Sequence, residues 1–318
     1  MTIPAESFGN AGPGGLIGLD WGTSRLRAFL MDDSGRLLEA REQPWGIRFL
    51  PEGGCERAYA DMTAGWPILP SIACGMVGSS LGWREAPYVE LPADASELAN
   101  GLVRVNTTRA APLYIVPGLH NANGPDVMRG EETQLIGGLD GRRGLQGAST
   151  WILPGTHSKW VSVRHNRIVD FATVMTGELY AVLGRYSILH WNQSKADQPL
   201  DVQAFTRGVV AARESGCQGG FSRLFTARSL MLDGLFEKEA VADYLSGLLI
   251  GEELRSMVSG RRFDSGAAIQ LVGANTLCER YVCAAKVFDL NLEGPNTADS
   301  AKGLWRISQL AKITGVYP

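Results

Sequence analysis

The sequence predicts an α/β protein made of two related domains, and three observations support this prediction. Two stretches far apart in the chain, residues 16–30 and 151–163, each contain an apolar strand, a Gly-Thr turn and a returning strand. Strand and helix patterns alternate through the first half of the chain, as they do in α/β folds. The 318 residues exceed the length at which one hydrophobic core usually stops growing. The repeated hairpin and the length together favour two domains.

Composition and charge argue against several classes of protein. The net charge is −3, whereas nucleic-acid-binding proteins normally carry a basic surface. The apolar runs are much shorter than a membrane span, and residues 1–15 contain no basic residue of the kind that opens a signal peptide. The five cysteines are scattered, which is typical of free thiols in a reducing compartment. We therefore expect a cytoplasmic protein that binds neither nucleic acid nor membrane.

The first domain is expected to span residues 16–127, after a flexible leader at residues 1–15. Its first three strands are expected to form an antiparallel meander, because residues 32–35 (Asp-Asp-Ser-Gly) have the chemistry of a tight turn. The polar stretch at residues 120–126, with two Asn, a Gly and a Pro, predicts the crossing into the second domain. The second and third strands of this meander are expected at 26–31 and 37–41, later strands at 68–74 and 113–116, and a helix at 56–63.

The second domain is expected to span residues 128–318. It begins with a helix at 129–136, whose first turn is acidic. After the second hairpin we expect strands at 168–173 and 269–272, mostly helical sequence over 178–257, a helix at 276–285, and a terminal helix at 302–311 that can pack back on the first domain.

The two Gly-Thr turns are candidate phosphate-binding sites. Glycine lets the backbone approach a ligand closely, and successive N–H groups in such a turn form a concavity suited to an anion. A plain hairpin connection explains either turn alone. Two such turns, a domain's length apart, suggest two halves that hold one polyphosphate. The residues concerned are Gly22, Thr23 and Ser24 in the first turn, and Gly155, Thr156, His157 and the following Lys159 in the second.

Asp20 is the candidate metal ligand. It ends an otherwise apolar strand, where a carboxylate is costly unless it is paired or holds a metal. Because Mg²⁺ retains much of its hydration shell, we expect the contact to run through water.

Gly130-Glu131-Glu132 contains the candidate general base. Acidic residues in the first turn of a helix are favoured by the helix dipole, which is sufficient to explain one of them. The functional alternative is that a carboxylate here accepts the proton of an attacking hydroxyl.

Two further loops follow buried strands, where α/β folds place their ligands. Residues 75–88 are a surface loop or a substrate site. Residues 273–275 are a plain turn or a nucleotide contact. Arg25 follows the first turn and is able to neutralise phosphate or carboxylate. The candidate substrate residues are Arg25, Met76, Ser79, Trp83, Arg84 and Glu85, and the candidate nucleotide residues in the later loop are Gly273, Ala274 and Asn275.

These motifs, in this order, resemble the sugar kinases of the actin-like ATPase superfamily, and more closely the 2-dehydro-3-deoxygalactonokinase family. The resemblance covers nearly the whole chain from Leu16. It implies two ribonuclease-H-like (actin-like ATPase) domains with an interdomain ATP cleft. The matching segments are 18–24 (Gly-Leu-Asp-Trp-Gly-Thr-Ser), 74–79 (Cys-Gly-Met-Val-Gly-Ser), 82–88 (Gly-Trp-Arg-Glu-Ala-Pro-Tyr), 128–134 (Met-Arg-Gly-Glu-Glu-Thr-Gln) and 153–160 (Leu-Pro-Gly-Thr-His-Ser-Lys-Trp).

The resemblance implies that ATP phosphorylates the 6-hydroxyl of 2-dehydro-3-deoxy-D-galactonate, in galactonate breakdown. Asp20 would orient hydrated Mg²⁺, the two Gly-Thr turns would hold the phosphates, and Glu131 would act as the base. Arg25 and Arg84 are the candidates for the substrate carboxylate. The chain departs from the superfamily pattern in two places. The superfamily has an aspartate as the base, whereas this chain has Glu131 with Glu132 beside it. In the second hairpin, Leu153 occupies the position that corresponds to Asp20 in the first.

Three alternatives stay open at this point. The acceptor can be another sugar or sugar acid, including the gluconate stereoisomer. The enzyme can be a phosphatase of the same superfamily, which would position water and would not need residues 83–85. A sugar-sensing regulator would carry a DNA-binding extension, which we do not expect before Leu16. No motif predicts the oligomeric state, and a homodimer is one alternative.

Overall fold

The computed structural model describes residues 14–140, 147–189, 199–235, 237–260, 262–263, 268–296 and 300–313. The chain divides into two compact units, the first comprising Met1–Gly144 with Ala298–Pro318 and the second Leu145–Thr297. Most of the predicted leader, residues 1–13, lies outside the described residues. Its last residue, Gly15, is already part of a strand.

The strands are β1 (Gly15–Trp21), β2 (Leu26–Asp32), β3 (Leu37–Gln43), β4 (Ser71–Gly75), β5 (Tyr88–Glu90), β6 (Val103–Val105), β7 (Leu113–Ile115), β8 (Gly118–Asn121), β9 (Asp126–Met128), β10 (Ala148–Leu153), β11 (Ser158–Arg164), β12 (Arg167–Val174), β13 (Ile269–Val272) and β14 (Leu292–Asn296). The helices are α1 (Gly54–Met62), α2 (Ala95–Asn100), α3 (Glu131–Asp140), α4 (Thr176–Tyr186), α5 (Val202–Arg213), α6 (Thr226–Leu232), α7 (Ala240–Ser259), α8 (Asn275–Val287) and α9 (Ser300–Leu310).

The first unit is built on a sheet of order β3-β2-β1-β4-β7-β6. The predicted meander is confirmed, since β1 pairs antiparallel with β2 and β2 with β3, while β4 runs parallel to β1. Every residue of β1 is buried, because this strand lies between two others and is covered by packed side chains. Its apolar sequence is therefore that of a central strand.

The second unit repeats this arrangement with a sheet of order β12-β11-β10-β13-β14. Strands β10, β11 and β12 form the antiparallel meander, and β13 and β14 continue the sheet as parallel strands. The repeated hairpin in the sequence thus reflects two similar sheets, and the predicted α/β class with two ribonuclease-H-like domains is confirmed.

Two features of the first unit differ from the sequence prediction. Residues 120–126 do not cross into the second domain, because β8 and β9 pair across them and join β5 in a small sheet of their own. The division between units also falls later than the predicted boundary at 127/128. The physical reason is that α3 packs against α9, with Gly303 seated directly on the backbone carbonyl of Thr133. The terminal helix α9 belongs to the first unit.

Candidate functional site

The carboxyl ends of β1 and β4 meet at one edge of the first sheet. The register places Asp20 beside Cys74 and Trp21 beside Gly75. Gly75 has a φ of +91°, and a Cβ there would lie 2.7 Å from the Trp21 carbonyl oxygen. Gly130, with a φ of +110°, in turn packs on the Cα of Gly75. Because glycine alone tolerates both the positive φ and the close approach, the strand ends and the start of α3 lie in direct contact.

Asp20, the predicted metal ligand, is largely buried at this edge, with 8% of its surface exposed. The Arg27 guanidinium lies 2.5 Å from its Oδ2 atom. The Ser300 hydroxyl, at the start of α9, donates a hydrogen bond to the same oxygen. Among the described residues, Oδ1 has no hydrogen-bond partner. The arrangement holds the carboxylate in one orientation and leaves one oxygen for a ligand.

The first Gly-Thr turn is tight and exposed at its tip. The Gly22 N–H donates to the Arg25 carbonyl at 3.0 Å, which closes the turn. Its outer carbonyls, from Gly22 and Thr23, accept hydrogen bonds from the segment 47–48. Thr23 and Ser24 are exposed. The backbone of the turn is therefore held from below, while the two hydroxyl-bearing residues are open to a ligand.

The two acids at the start of α3 lie in different environments. Glu132 is fully buried, and its oxygens accept hydrogen bonds from the Gly130 N–H at 2.6 Å and the Thr133 hydroxyl at 3.0 Å. Burial, with a smaller contribution from the charge of Glu131, raises the pKa of Glu132 to about 8. Glu131 is only half-buried, and its Oε2 accepts a hydrogen bond from the Arg129 N–H at 3.1 Å. Glu131 is thus the acid that a substrate can reach.

The predicted substrate loop begins with a short 3-10 helix, Met76–Gly78, at the end of β4. Ser79 ends this turn by donating its hydroxyl to the Met76 carbonyl at 2.8 Å. Arg84 and Glu85 are exposed, and their side chains form no hydrogen bond or ion pair with the part of the chain that the structure describes.

Trp83 does not project from this loop as a free ring. Its ring packs against Trp21 at a centroid distance of 6.1 Å and against Tyr59 at 5.8 Å. It belongs to the edge of the hydrophobic core of the first unit. Two aromatic neighbours therefore already contact the ring of this candidate substrate residue.

Arg25 lies on the surface of the sheet. Its side chain is 74% exposed and forms an ion pair with Glu42 at 2.5 Å. Such surface pairs contribute little to stability, so Glu42 does not by itself prevent another anion from binding.

Sequence reasoning missed Arg129. Its Nη2 donates to the Ala86 carbonyl at 2.7 Å, and its guanidinium lies 4.4 Å from the centre of the Tyr88 ring. Nε and Nη1 are buried and have no hydrogen-bond partner. The available signal was a basic residue directly before Gly130-Glu131-Glu132, which the sequence analysis treated only as the start of a helix.

In the second unit, the two predicted nucleotide loops lie at the same sheet edge. Strand β10 runs parallel to β13, and Gly273 lies against Pro154, the residue before Gly155. Ala274 precedes α8, whose first residue is Asn275. The sheet thus brings the second Gly-Thr turn and residues 273–275 together.

The second turn is held by polar contacts on both sides. The Gly155 N–H donates to the Ser158 hydroxyl at 3.4 Å, and the Thr156 carbonyl accepts from the Glu178 N–H at 2.9 Å. The exposed His157 ring contacts the Glu178 carboxylate. Lys159 is buried, and its Nζ donates to the His157 carbonyl at 3.1 Å. Lys159 therefore stabilises the turn from inside the fold, and its side chain does not extend over the turn.

A buried carboxylate that sequence reasoning also missed lies beneath this turn. Glu253, in the middle of α7, accepts hydrogen bonds from Trp160 Nε1 at 2.9 Å, the Tyr281 hydroxyl at 2.7 Å and the Thr176 hydroxyl. The Tyr281 hydroxyl also contacts that of Ser158 at 2.9 Å. Burial raises the pKa of Glu253. The network joins α4, α7 and α8 to the residue that hydrogen-bonds Gly155.

The described residues contain no group of three or more His, Cys, Asp or Glu side chains arranged to hold a metal ion. They also contain no helix that is long and apolar enough to cross a membrane.

Several known proteins match this chain over most of its length. The family model described as 2-keto-3-deoxy-galactonokinase matches residues 20–307. A 2-dehydro-3-deoxygalactonokinase of Escherichia coli (strain K12) is 37% identical over 270 residues, which cover 83% of this chain and 87% of that protein. A Rhizobium meliloti (strain 1021) protein, named "Probable 2-dehydro-3-deoxygalactonokinase", is 34% identical over 291 residues, covering 89% and 93%.

A solved structure agrees with these matches. A Sinorhizobium meliloti protein, described provisionally as a 2-dehydro-3-deoxygalactonokinase, superimposes with a TM-score of 0.81 at 33% identity, over 92% of this chain and 98% of that one. The resemblance inferred from the motifs is confirmed, and with it the prediction of a kinase. The chain belongs to the 2-keto-3-deoxy-galactonokinase family.

Proposed function

We propose that this enzyme transfers the γ-phosphoryl group of ATP to the 6-hydroxyl of 2-dehydro-3-deoxy-D-galactonate, as a step in galactonate breakdown. Family membership and the names of the two curated relatives support the reaction and the acceptor. The structural observation that carries the proposal is Glu131, an accessible carboxylate at the edge where β1, β4 and α3 meet.

Glu131 has the role of general base. Its Oε2 is held by the Arg129 N–H, which fixes the carboxylate without burying it. Glu132 is not equivalent, because both of its oxygens are engaged inside the fold and its pKa of about 8 keeps it mostly protonated near pH 7. A neutral Glu132 avoids a second negative charge beside the base. In phosphoryl transfer, such positioning and charge balance are the main tasks of the protein.

Asp20 fits a Mg²⁺ ligand, although no cluster of carboxylates surrounds it in the described residues. Mg²⁺ in kinase sites is typically held by one or two carboxylates, water and the substrate phosphates, so one fixed carboxylate is sufficient. Arg27 and Ser300 occupy Oδ2 and orient the group. A bound Mg²⁺ would neutralise charge on the phosphates, and Asp20 would hold its hydration shell.

The two Gly-Thr turns have the role of phosphate contacts, each from its own unit. Thr23, Ser24 and Thr156 are exposed residues of these turns, and each carries a hydroxyl group. Ala274 and Asn275 are also exposed, which suits a base and ribose, and the N-terminus of α8 follows directly. Residues 22–24, 155–156 and 273–275 are therefore the nucleotide contacts in this proposal.

A coupled assay on a panel of sugar acids tests the proposal. We expect ATP-dependent phosphorylation of 2-dehydro-3-deoxygalactonate, with a lower kcat/KM for the gluconate stereoisomer and for neutral hexoses. Phosphate release from ATP that is unchanged by any acceptor would support a phosphatase instead. A higher kcat/KM for another acceptor would correct the substrate but not the reaction. Action in the cytoplasm stays a prediction, which fractionation tests. The sequence leaves the oligomeric state open, and solution scattering distinguishes a homodimer from a monomer.

A further inference from the structure

The Arg129 guanidinium is an incompletely paired cation inside the first unit. Its Nη2 donates to the Ala86 carbonyl, but Nε and Nη1 are buried without a partner. No described carboxylate forms an ion pair with it. Other arginines of this unit do have such partners, as Arg27 has Asp20 and Arg41 has Glu39.

This state is energetically unfavourable. Buried donors are paired in the great majority of cases, and a buried charge without a counter-charge carries a large desolvation penalty. Arg109 offers a comparison: its Nε is also unpaired, but its other two nitrogens donate to Thr63, Trp66 and Pro67. Arg109 thus has several carbonyl acceptors for its guanidinium. Arg129 makes one such bond and lacks an anionic oxygen.

The position of Arg129 connects it to the reaction. Its own N–H donates to Oε2 of Glu131, the proposed base. Its guanidinium lies under the loop that follows β4, with Nη1 against Gly78 and Nη2 on Ala86. Because the acceptor must place one hydroxyl at Glu131, the rest of that small molecule lies within a short distance of this segment.

We infer that the Arg129 guanidinium binds the carboxylate of the acceptor, in place of Arg25 or Arg84. This inference rests on the proposed function. A carboxylate supplies the missing counter-charge and an acceptor oxygen for one of the two unpaired nitrogens, and guanidinium–carboxylate bonds are among the stronger hydrogen bonds in proteins. Arg25 and Arg84 are both exposed, and an ion pair formed by an exposed arginine is weak.

The Tyr88 ring lies against the guanidinium at 4.4 Å and is itself 43% exposed, so it has room to move toward solvent when the acceptor binds. A purely structural role predicts something different: if Arg129 only anchors the loop, removing Tyr88 or removing Arg129 should have the same effect on catalysis.

The test compares kcat/KM for 2-dehydro-3-deoxygalactonate with that for its C1 carboxamide, in the full-length enzyme. We expect wild type to prefer the acid. Arg129→Gln should lower kcat/KM for the acid by about tenfold to hundredfold, the usual effect of losing a charge-assisted bond, while the value for the amide changes little. Arg129→Lys, which retains the charge, should fall between them. Tyr88→Ala should retain the wild-type preference for the acid, and so should the control Arg109→Lys, at another arginine whose Nε is buried without a partner.

Two results would overturn the inference: an Arg129→Gln enzyme that keeps the full preference for the acid, or a Tyr88→Ala enzyme that loses it equally. Equal use of acid and amide by wild type would also overturn it. Thermal unfolding identifies a variant that fails to fold, and Arg129→Lys then carries the comparison. Failure of the proposed function has a different signature, because wild type would then phosphorylate neither compound.

Discussion

The Ser300 hydroxyl donates a hydrogen bond to Oδ2 of Asp20, although 280 positions separate the two residues in the sequence. Arg27 contacts the same oxygen from the neighbouring strand. The terminal helix α9 therefore helps to orient the carboxylate that ends β1. Both ends of the described chain contribute to one side of the proposed site.

Ser300→Ala tests this relationship. Without the hydroxyl, Asp20 keeps Arg27 but loses one of its two contacts, so we expect kcat/KM to fall roughly two- to tenfold and the Mg²⁺ concentration for half-maximal rate to rise. Ser308→Ala is the matched control, since Ser308 is a buried serine of the same helix that bonds only the Trp305 carbonyl. Equal effects of the two substitutions would indicate a change in helix stability rather than in Asp20.

Asp20→Asn should keep the fold and lose most of the activity. The amide has nearly the same volume as the carboxylate but no charge for a cation, so metal positioning fails while packing is retained. Steady-state kinetics over a Mg²⁺ titration, with circular dichroism as the folding control, measure this. Near-normal turnover at saturating Mg²⁺ would remove the metal role from Asp20.

Glu131→Gln should lower kcat by roughly 10²–10⁴, the usual range for loss of a general base. The KM for ATP should change little, because Glu131 lies in the first turn of α3 and outside the proposed nucleotide contacts. Glu132→Gln should be milder, because Glu132 is already mostly protonated near pH 7. A larger loss of kcat in Glu132→Gln than in Glu131→Gln would indicate that Glu132 is the general base instead of Glu131.

The raised pKa of Glu132 predicts a pH-dependent stability. Between the ordinary glutamate pKa of 4.5 and the native pKa of about 8, the native state retains a proton that the unfolded state has released. Stability from this group is therefore present below about pH 4.5 and is lost as the pH rises toward 8, by at most about 1.4 kcal/mol per pH unit. Chemical denaturation of wild type and Glu132→Gln from pH 5 to 8 should show a shallower slope in the variant. Glu253, whose pKa is also raised, contributes in the same direction and stays in both proteins.

Tyr281→Phe should weaken ATP binding more than acceptor binding. The substitution removes the hydroxyl that connects Glu253 to Ser158, and Ser158 in turn accepts the Gly155 N–H. We expect the KM for ATP to rise roughly two- to tenfold, with the KM for the sugar acid unchanged. The control is Ser149→Ala. This substitution removes a buried hydroxyl on β10 that accepts a hydrogen bond from the Trp151 ring on the same strand. An equal rise in both KM values would indicate a general loss of stability.

Local sequence was sufficient for the elements whose pattern depends on near neighbours. The meander β1–β3 and the hairpin β10–β11 follow from apolar strands and turn residues, and β13 has the predicted bounds. The small sheet β5-β8-β9 was missed because its strands have only three or four residues each. Such short strands are defined by their pairing rather than by periodicity.

Side-chain environments were harder to predict than positions. Trp83 is a candidate substrate residue in the sequence, but its ring packs on Trp21 and Tyr59. Lys159 was expected to reach a phosphate but is buried beneath its turn. The aromatic neighbours of Trp83 are distant in sequence, so spacing alone carries no information about them.

The sequence by itself determined the α/β class, the two repeated hairpins and the identity of the candidate chemical groups, because glycine turns, strand alternation and an isolated aspartate are local properties of the chain. Only the tertiary structure decided which acid of Glu131 and Glu132 is accessible, which arginine lacks an anion, and that Ser300 orients Asp20. These depend on burial and on contacts between remote residues, and desolvation changes the charge and reactivity of a side chain without leaving a mark in its sequence.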